Sequence, residues 1–140
     1  MRRYQTDLKL QRLSRVAPFD SLGPADLRDV ASAADDLELH AGEILCEQGR
    51  RGIEAFVVVE GELDVSVDGE HLSVIGPGEW AGEMSLLDGG GRSATVTAAT
   101  DAWVAVFVKP ALTRLLSDHP HLSRHLMRTL TVRLRSATVS

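Results

Sequence analysis

Between Gly52 and Val108 this 140-residue chain is almost without positive charge: Arg92 is the only lysine or arginine in a stretch that holds ten acidic residues. Cysteine is nearly missing as well. Cys46 stands alone, which excludes an internal disulfide and gives no reason to expect secretion. Its strand-like surroundings read as a place for a small buried apolar residue rather than a reactive thiol. No apolar run approaches the ~20 residues of a membrane span. Residues 1–7 lack the apolar core of a signal peptide, so a cytoplasmic protein is expected, with no membrane partner. Metal-binding spacing is absent too. His40 and His71 are isolated, and His119, His121 and His125 read as solvated residues of a helical tail. No nucleophile–base pair can be assembled, so neither an enzyme nor a metal or other cofactor is expected. Residues 110–140 carry five arginines against one acid, a net charge of +4, while the first 109 residues carry −9. That basic end has no aromatic residue and no sign of a second DNA-reading helix, so no DNA-binding motif is expected in these 140 residues.

What is present divides into three regions without repeats or low-complexity linkers. Leu8, Leu10, Leu13 and Val16 form one apolar stripe at helical spacing. Pro18 breaks it, and Gly23-Pro24 opens a second helix with Leu27, Val30, Ala31 and Ala34 inward. From Leu37 the period changes. Residues 55–59 are a buried-strand run; Leu63, Val65 and Val67 alternate with Asp64 and Ser66; Asp68-Gly69 signals a hairpin turn. Some eight short strands ending near Val108 predict a barrel or jelly roll. Pro110 opens a further helix with Leu112, Leu115 and Leu116. After His119-Pro120, a last helix carries Leu122, Leu126, Leu130 and Leu134 at four-residue steps. The expected architecture is α+β, mainly β: an eight-stranded β-roll or jelly roll over 37–108, N-terminal helices over 1–36, and C-terminal hinge and lid helices over 109–140, in a single domain.

Arg92 follows Gly89, Gly90 and Gly91 and precedes the small residues Ser93 and Ala94. Glycines let a backbone approach a ligand closely, and a guanidinium offers a rigid fork of donors that matches a phosphate. A pocket for one small anion follows. A structural salt bridge from Arg92 to an acidic neighbour is the competing reading.

The run Gly82-Glu83-Met84-Ser85-Leu86-Leu87, then Asp88 to Gly91, then Arg92-Ser93-Ala94-Thr95-Val96, resembles the phosphate-binding cassette of the cyclic nucleotide-binding domain family. A second stretch is similar to the family's β-roll turns: Leu45-Cys46, Gly49, Gly52, the apolar run 56–59, and Gly61. The resemblance implies that Glu83 accepts the ribose 2′-hydroxyl proton and that Arg92 pairs with the cyclic phosphate. It makes Gly82, Met84, Ser85, Ser93 and Ala94 further phosphate-site residues, through backbone N–H groups and the Ser93 hydroxyl, and Val65, Leu72 and Ser73 wall candidates. Three departures stand out. Ala81 replaces a usually large apolar residue beside Trp80, Arg50 replaces an acidic or amide residue, and the 88–91 loop is short. Arg-Ser-Ala favours cyclic AMP as ligand, with cyclic GMP as the other candidate; Arg128, Thr129 and Thr138 are candidates to reach the base.

The expected function is a cyclic AMP sensor whose C-terminal helices move on binding and act on a protein effector. A ligand-free interaction module is the alternative. The terminal leucine stripe suits either a homodimer seam or packing onto the chain's own roll.

Overall fold

The computed structural model describes the backbone of residues 2–83 and 90–139 and the side chains of residues 7–83 and 90–132. Helix α1 spans Arg2–Leu13 and α2 spans Pro24–Ala33, joined through a short 3-10 turn at Phe19–Ser21. Eight strands follow: β1 (Asp35–Leu39), β2 (Ile44–Cys46), β3 (Glu54–Glu60), β4 (Leu63–Val67), β5 (Glu70–Ile75), β6 (Trp80–Ala81), β7 (Thr95–Ala98) and β8 (Ala102–Val108). Helices α3 (Lys109–Asp118) and α4 (Pro120–Val139) close the chain. The expected β-roll between helices is what the chain forms. One four-stranded antiparallel sheet has the order β1-β8-β3-β6 and the other β2-β7-β4-β5.

The alternation of β3 and β8 explains why both strands are apolar along almost their whole length. Side chains on a strand point to opposite faces in turn. Ala55, Val57 and Val59 of β3, with Trp103, Ala105 and Phe107 of β8, face the helices and join Leu13, Phe19, Val30, Leu112, Leu115, Leu122 and Leu126 in one core. Phe56 and Val58, with Val104 and Val106, face the inside of the roll and meet Leu63, Ile75, Ala81, Val96 and Ala98. One sheet therefore separates a helical core from a roll core. Each large side chain buried in either contributes roughly 1.5–3 kcal/mol. The second sheet covers only its inner face; β5 is exposed up to Ile75.

Two details differ from the sequence reading. The first helix stops at Leu13 instead of carrying Val16, because the chain must turn before Pro18, which disfavours helix at its predecessor. Val16 is nonetheless buried beside it. Strand β6 is only two residues long, too short to show a period. The last-helix leucines Leu122 and Leu126 pack into the chain's own helical core; Leu134 lies beyond the described side chains.

Candidate functional site

The site is built where three segments meet: the β2–β3 loop, the end of β6, and the residues just before β7. The backbone of Arg92 is held on both sides. Its N–H donates to the Arg50 carbonyl at 2.8 Å, and its own carbonyl accepts from the Gly49 N–H at 2.8 Å. Arg51 and Gly91 form an isolated antiparallel bridge next to this pair. A side chain at Gly91 would press on the Gly49 carbonyl at 3.1 Å, so glycine there allows the two loops to lie this close.

From that backbone the Arg92 side chain runs inward and is only 7% exposed. Its Nη1 donates to the Gly82 carbonyl at 3.0 Å. Its guanidinium carbon lies 5.4 Å from the centre of the Phe56 ring. Gly52 packs so tightly against the guanidinium that any Cβ there would overlap it. Gly82 has φ of +79°, and a Cβ there would collide with the same group and approach the Glu54 carbonyl at 3.1 Å. Two of this buried cation's neighbours, the Gly82 carbonyl and the Phe56 ring, are neutral.

Glu83 follows Gly82 directly and is fully buried. Thus the Gly-Glu and Arg halves of the motif, ten residues apart, are joined by the Gly82–Arg92 bond. Met84 and Ser85 lie outside the described residues. Ser93 is exposed and Ala94 half-buried just before β7.

Arg92 borders a cavity of about 360 Å³, within the ~300–1,000 Å³ usual for small-molecule sites. Its other walls are β2 with Ile44, Leu45 and Cys46, the loop with Glu47, Arg50, Arg51, Gly52 and Ile53, and Glu54 and Phe56 of β3. Burial pushes the Cys46 thiol pKa up against the lowering pull of Arg92, which keeps it a neutral apolar wall. The wall candidates Val65, Leu72 and Ser73 do not line this cavity. Val65 pairs with Ser73 on one side and Val96 on the other, and packs against the roll core. Leu72, one residue before Ser73, is 67% exposed.

Arg50 and Arg51, both exposed, add positive charge at the cavity, with Arg50 paired to Glu47 at 3.3 Å. Sequence reading noted Arg50 as a departure but missed Arg51; the adjacent basic pair in an otherwise acidic body was the available signal.

This geometry agrees with the family comparison. The model of the cyclic nucleotide-binding domain family matches residues 36–119, from β1 to the end of α3. The chain belongs to the cyclic nucleotide-binding domain family. It is 32% identical over 119 residues to a cyclic nucleotide-gated potassium channel of Rhizobium etli, an alignment that covers 85% of this chain and 33% of the channel. The catabolite activator protein of Thermus thermophilus superposes with a TM-score of 0.76 at 29% identity, covering 86% of this chain and 59% of that one. The regulatory domain of Toxoplasma gondii PKA, crystallised with cAMP, gives a TM-score of 0.64 at 30% identity, covering 79% and 44%. The chain thus spans about a third of the channel's length and about half of the two solved relatives.

At the helical end, His119 corrects the reading of a solvated tail. It caps α3 at the joint with α4, is 8% exposed, and its Nε2 lies 2.7 Å from Asp29 Oδ2 of α2. Its Nδ1 is 3.9 Å from Asp26. Arg114 donates to both Asp29, at 3.0 Å, and Asp118, at 3.2 Å. Hydrogen bonds from Arg114 and then His119 hold the Asp29 carboxyl below its ordinary pKa. His121 bonds Ser21 at 2.8 Å, and burial lowers the pKa of His125. None of the three belongs to a group of metal-binding side chains among the described residues. Of the base candidates, Arg128 is exposed on α4 and Thr129 donates to the His125 carbonyl at 3.2 Å. The Thr138 side chain lies outside the described set. No described residue of α4 lines the Arg92 cavity. No helix among the described residues is long and apolar enough to cross a membrane.

Proposed function

We propose that this chain is a cyclic nucleotide sensor, with cyclic AMP as its ligand, working as one unit of roll and flanking helices. The observation that carries the reading is Arg92: a buried guanidinium beside a cavity, held by a carbonyl and an aromatic ring. A cyclic phosphate would meet this fork of donors at the cavity wall, a geometry that a guanidinium matches. A charge-assisted bond contributes about 1.5–3 kcal/mol net, while micromolar affinity needs about 8 kcal/mol. The remainder comes from Glu83 on the ribose hydroxyl, from backbone N–H groups around 82–85 and 93–94, and from the apolar wall of Ile44, Leu45 and Cys46; Val65, Leu72 and Ser73 contribute only where the nucleotide extends beyond this cavity.

Cyclic AMP is preferred over cyclic GMP because serine follows the arginine, and because a similar regulatory domain was crystallised with cAMP. The response element is α3 and α4. Ligand shifts their arrangement only by binding one of two positions more tightly. Met127 and Val132 are exposed on α4 and suit contact with a protein effector or a second copy of the chain. Isothermal titration with cyclic AMP and cyclic GMP tests the reading. The expected result is saturable binding of cyclic AMP, weakened at least tenfold in Arg92→Ala. No heat from either nucleotide at roughly 100 μM, above the micromolar range, would favour an interaction module without ligand.

A further inference from the structure

We propose that Phe56 is a positioning residue for Arg92, fixing the guanidinium from the cavity wall. The proposal rests on the reading of Arg92 as the phosphate-binding group and adds a residue to it. Phe56 is buried on the roll-core face of β3 and is the only aromatic residue in that core among the described residues. The ring pairs Phe19–Phe107 and Trp80–Phe107, and the Trp103 ring under Arg12, belong to the helical core. A ring so placed attracts a cation through its quadrupole yet accepts no hydrogen bond in the plane of the fork. A carboxylate in the same position would also hold Arg92, but it would take the donors and neutralise the charge that an anionic ligand needs.

Strand register builds this arrangement. Phe56 is the Cα partner of Ala81 across the β3–β6 pair, and Gly82, whose carbonyl accepts from Arg92, is the next residue. Ring and carbonyl are therefore held in a fixed relation by one antiparallel pairing, with the guanidinium between them. The small side chain at Ala81 now has a reason. Directly opposite Phe56 in the same roll core, it leaves volume for the ring. Gly52 closes the third side, where any Cβ would overlap the guanidinium.

The test uses the whole chain, with cyclic AMP and its uncharged methyl phosphotriester as probes, and Phe56→Leu and Phe56→Tyr as variants. Phe56→Leu is expected to weaken cyclic AMP binding about fivefold, a mid-range cation–π effect, with little change for the triester. Phe56→Tyr, which keeps the ring, is expected to retain the wild-type preference for the charged ligand. A second readout needs no ligand. The Arg92 Nε–H proton, identified by its loss in Arg92→Lys, should resonate upfield of the other arginines through the ring current of Phe56. An unchanged preference in Phe56→Leu, or an unshifted Nε–H in the wild type, would overturn the proposal. If the wild type binds no nucleotide but the shift is present, the sensor reading fails and the positioning of Arg92 by Phe56 stands.

Discussion

Replacing Gly52 with alanine separates the stability of this fold from its capacity to bind. The added Cβ would overlap the Arg92 guanidinium, the far end of a long flexible side chain. The backbone at Gly52 does not adopt positive φ, so alanine brings no strain of its own. It also lowers the entropy of the unfolded chain, worth about 0.4–1 kcal/mol in favour of folding. Arg92 must swing out and give up its bond to the Gly82 carbonyl, at a cost of about 1.5–3 kcal/mol, part of which water restores. The net change in stability is therefore small, roughly 0–2 kcal/mol, or a few degrees in Tm. Binding suffers fully, because the fork no longer points at the phosphate; a loss of about 1.5–3 kcal/mol is roughly a 10- to 150-fold rise in Kd. Thermal unfolding and calorimetric titration of the same sample give both numbers. A Gly52→Ala protein that binds cyclic AMP within twofold of the wild type would refute the reasoning, since Arg92 would then not need its observed position.

Glu83→Gln keeps the shape of the buried side chain but removes its charge, and should reduce preference for cyclic AMP over its 2′-deoxy analogue; persistent discrimination in paired titrations would remove Glu83 from the ribose. The Asp29 carboxyl titrates lower in the folded chain than its ordinary value of 3.8. Its contribution is present above that value and disappears as pH falls through the folded pKa. Unfolding curves between pH 7 and 3 should lose stability less steeply in Asp29→Asn than in the wild type. His125 runs the other way: its folded pKa lies below 6.5, so the stability it permits is complete above 6.5 and declines as pH drops toward the folded value. Leu126→Ala should cost about 2–5 kcal/mol in denaturant unfolding, because Leu126 ties α4 to the helical core.

Local patterns in the chain carried most of the fold. The change from helical spacing to alternation near Leu37, the Asp68-Gly69 turn with both residues at positive φ, and the Pro120 break are all short-range signals with one physical meaning each. The unbroken apolar run 55–59 marked a buried strand, but only the structure shows why both faces are apolar: one meets helices, the other the roll. Arg92 was legible because its composition contrasts with everything around it. Its holders were not. Phe56 is 36 residues away in sequence, and its place under the guanidinium depends on the β3–β6 register, set by two residues of β6 that show no period. The same limit hid His119, which reads as one more polar residue of a helical tail until α2 brings Asp29 against it from 90 residues away.

Whether Arg92 receives a cyclic phosphate is decided by a crystal structure of the chain grown with cyclic AMP. Phosphate oxygens are expected about 2.7–2.9 Å from the Arg92 guanidinium, with the Glu83 carboxylate on the ribose hydroxyl. Nucleotide bound elsewhere, or a guanidinium that makes no contact with the phosphate in the same crystal, would contradict it.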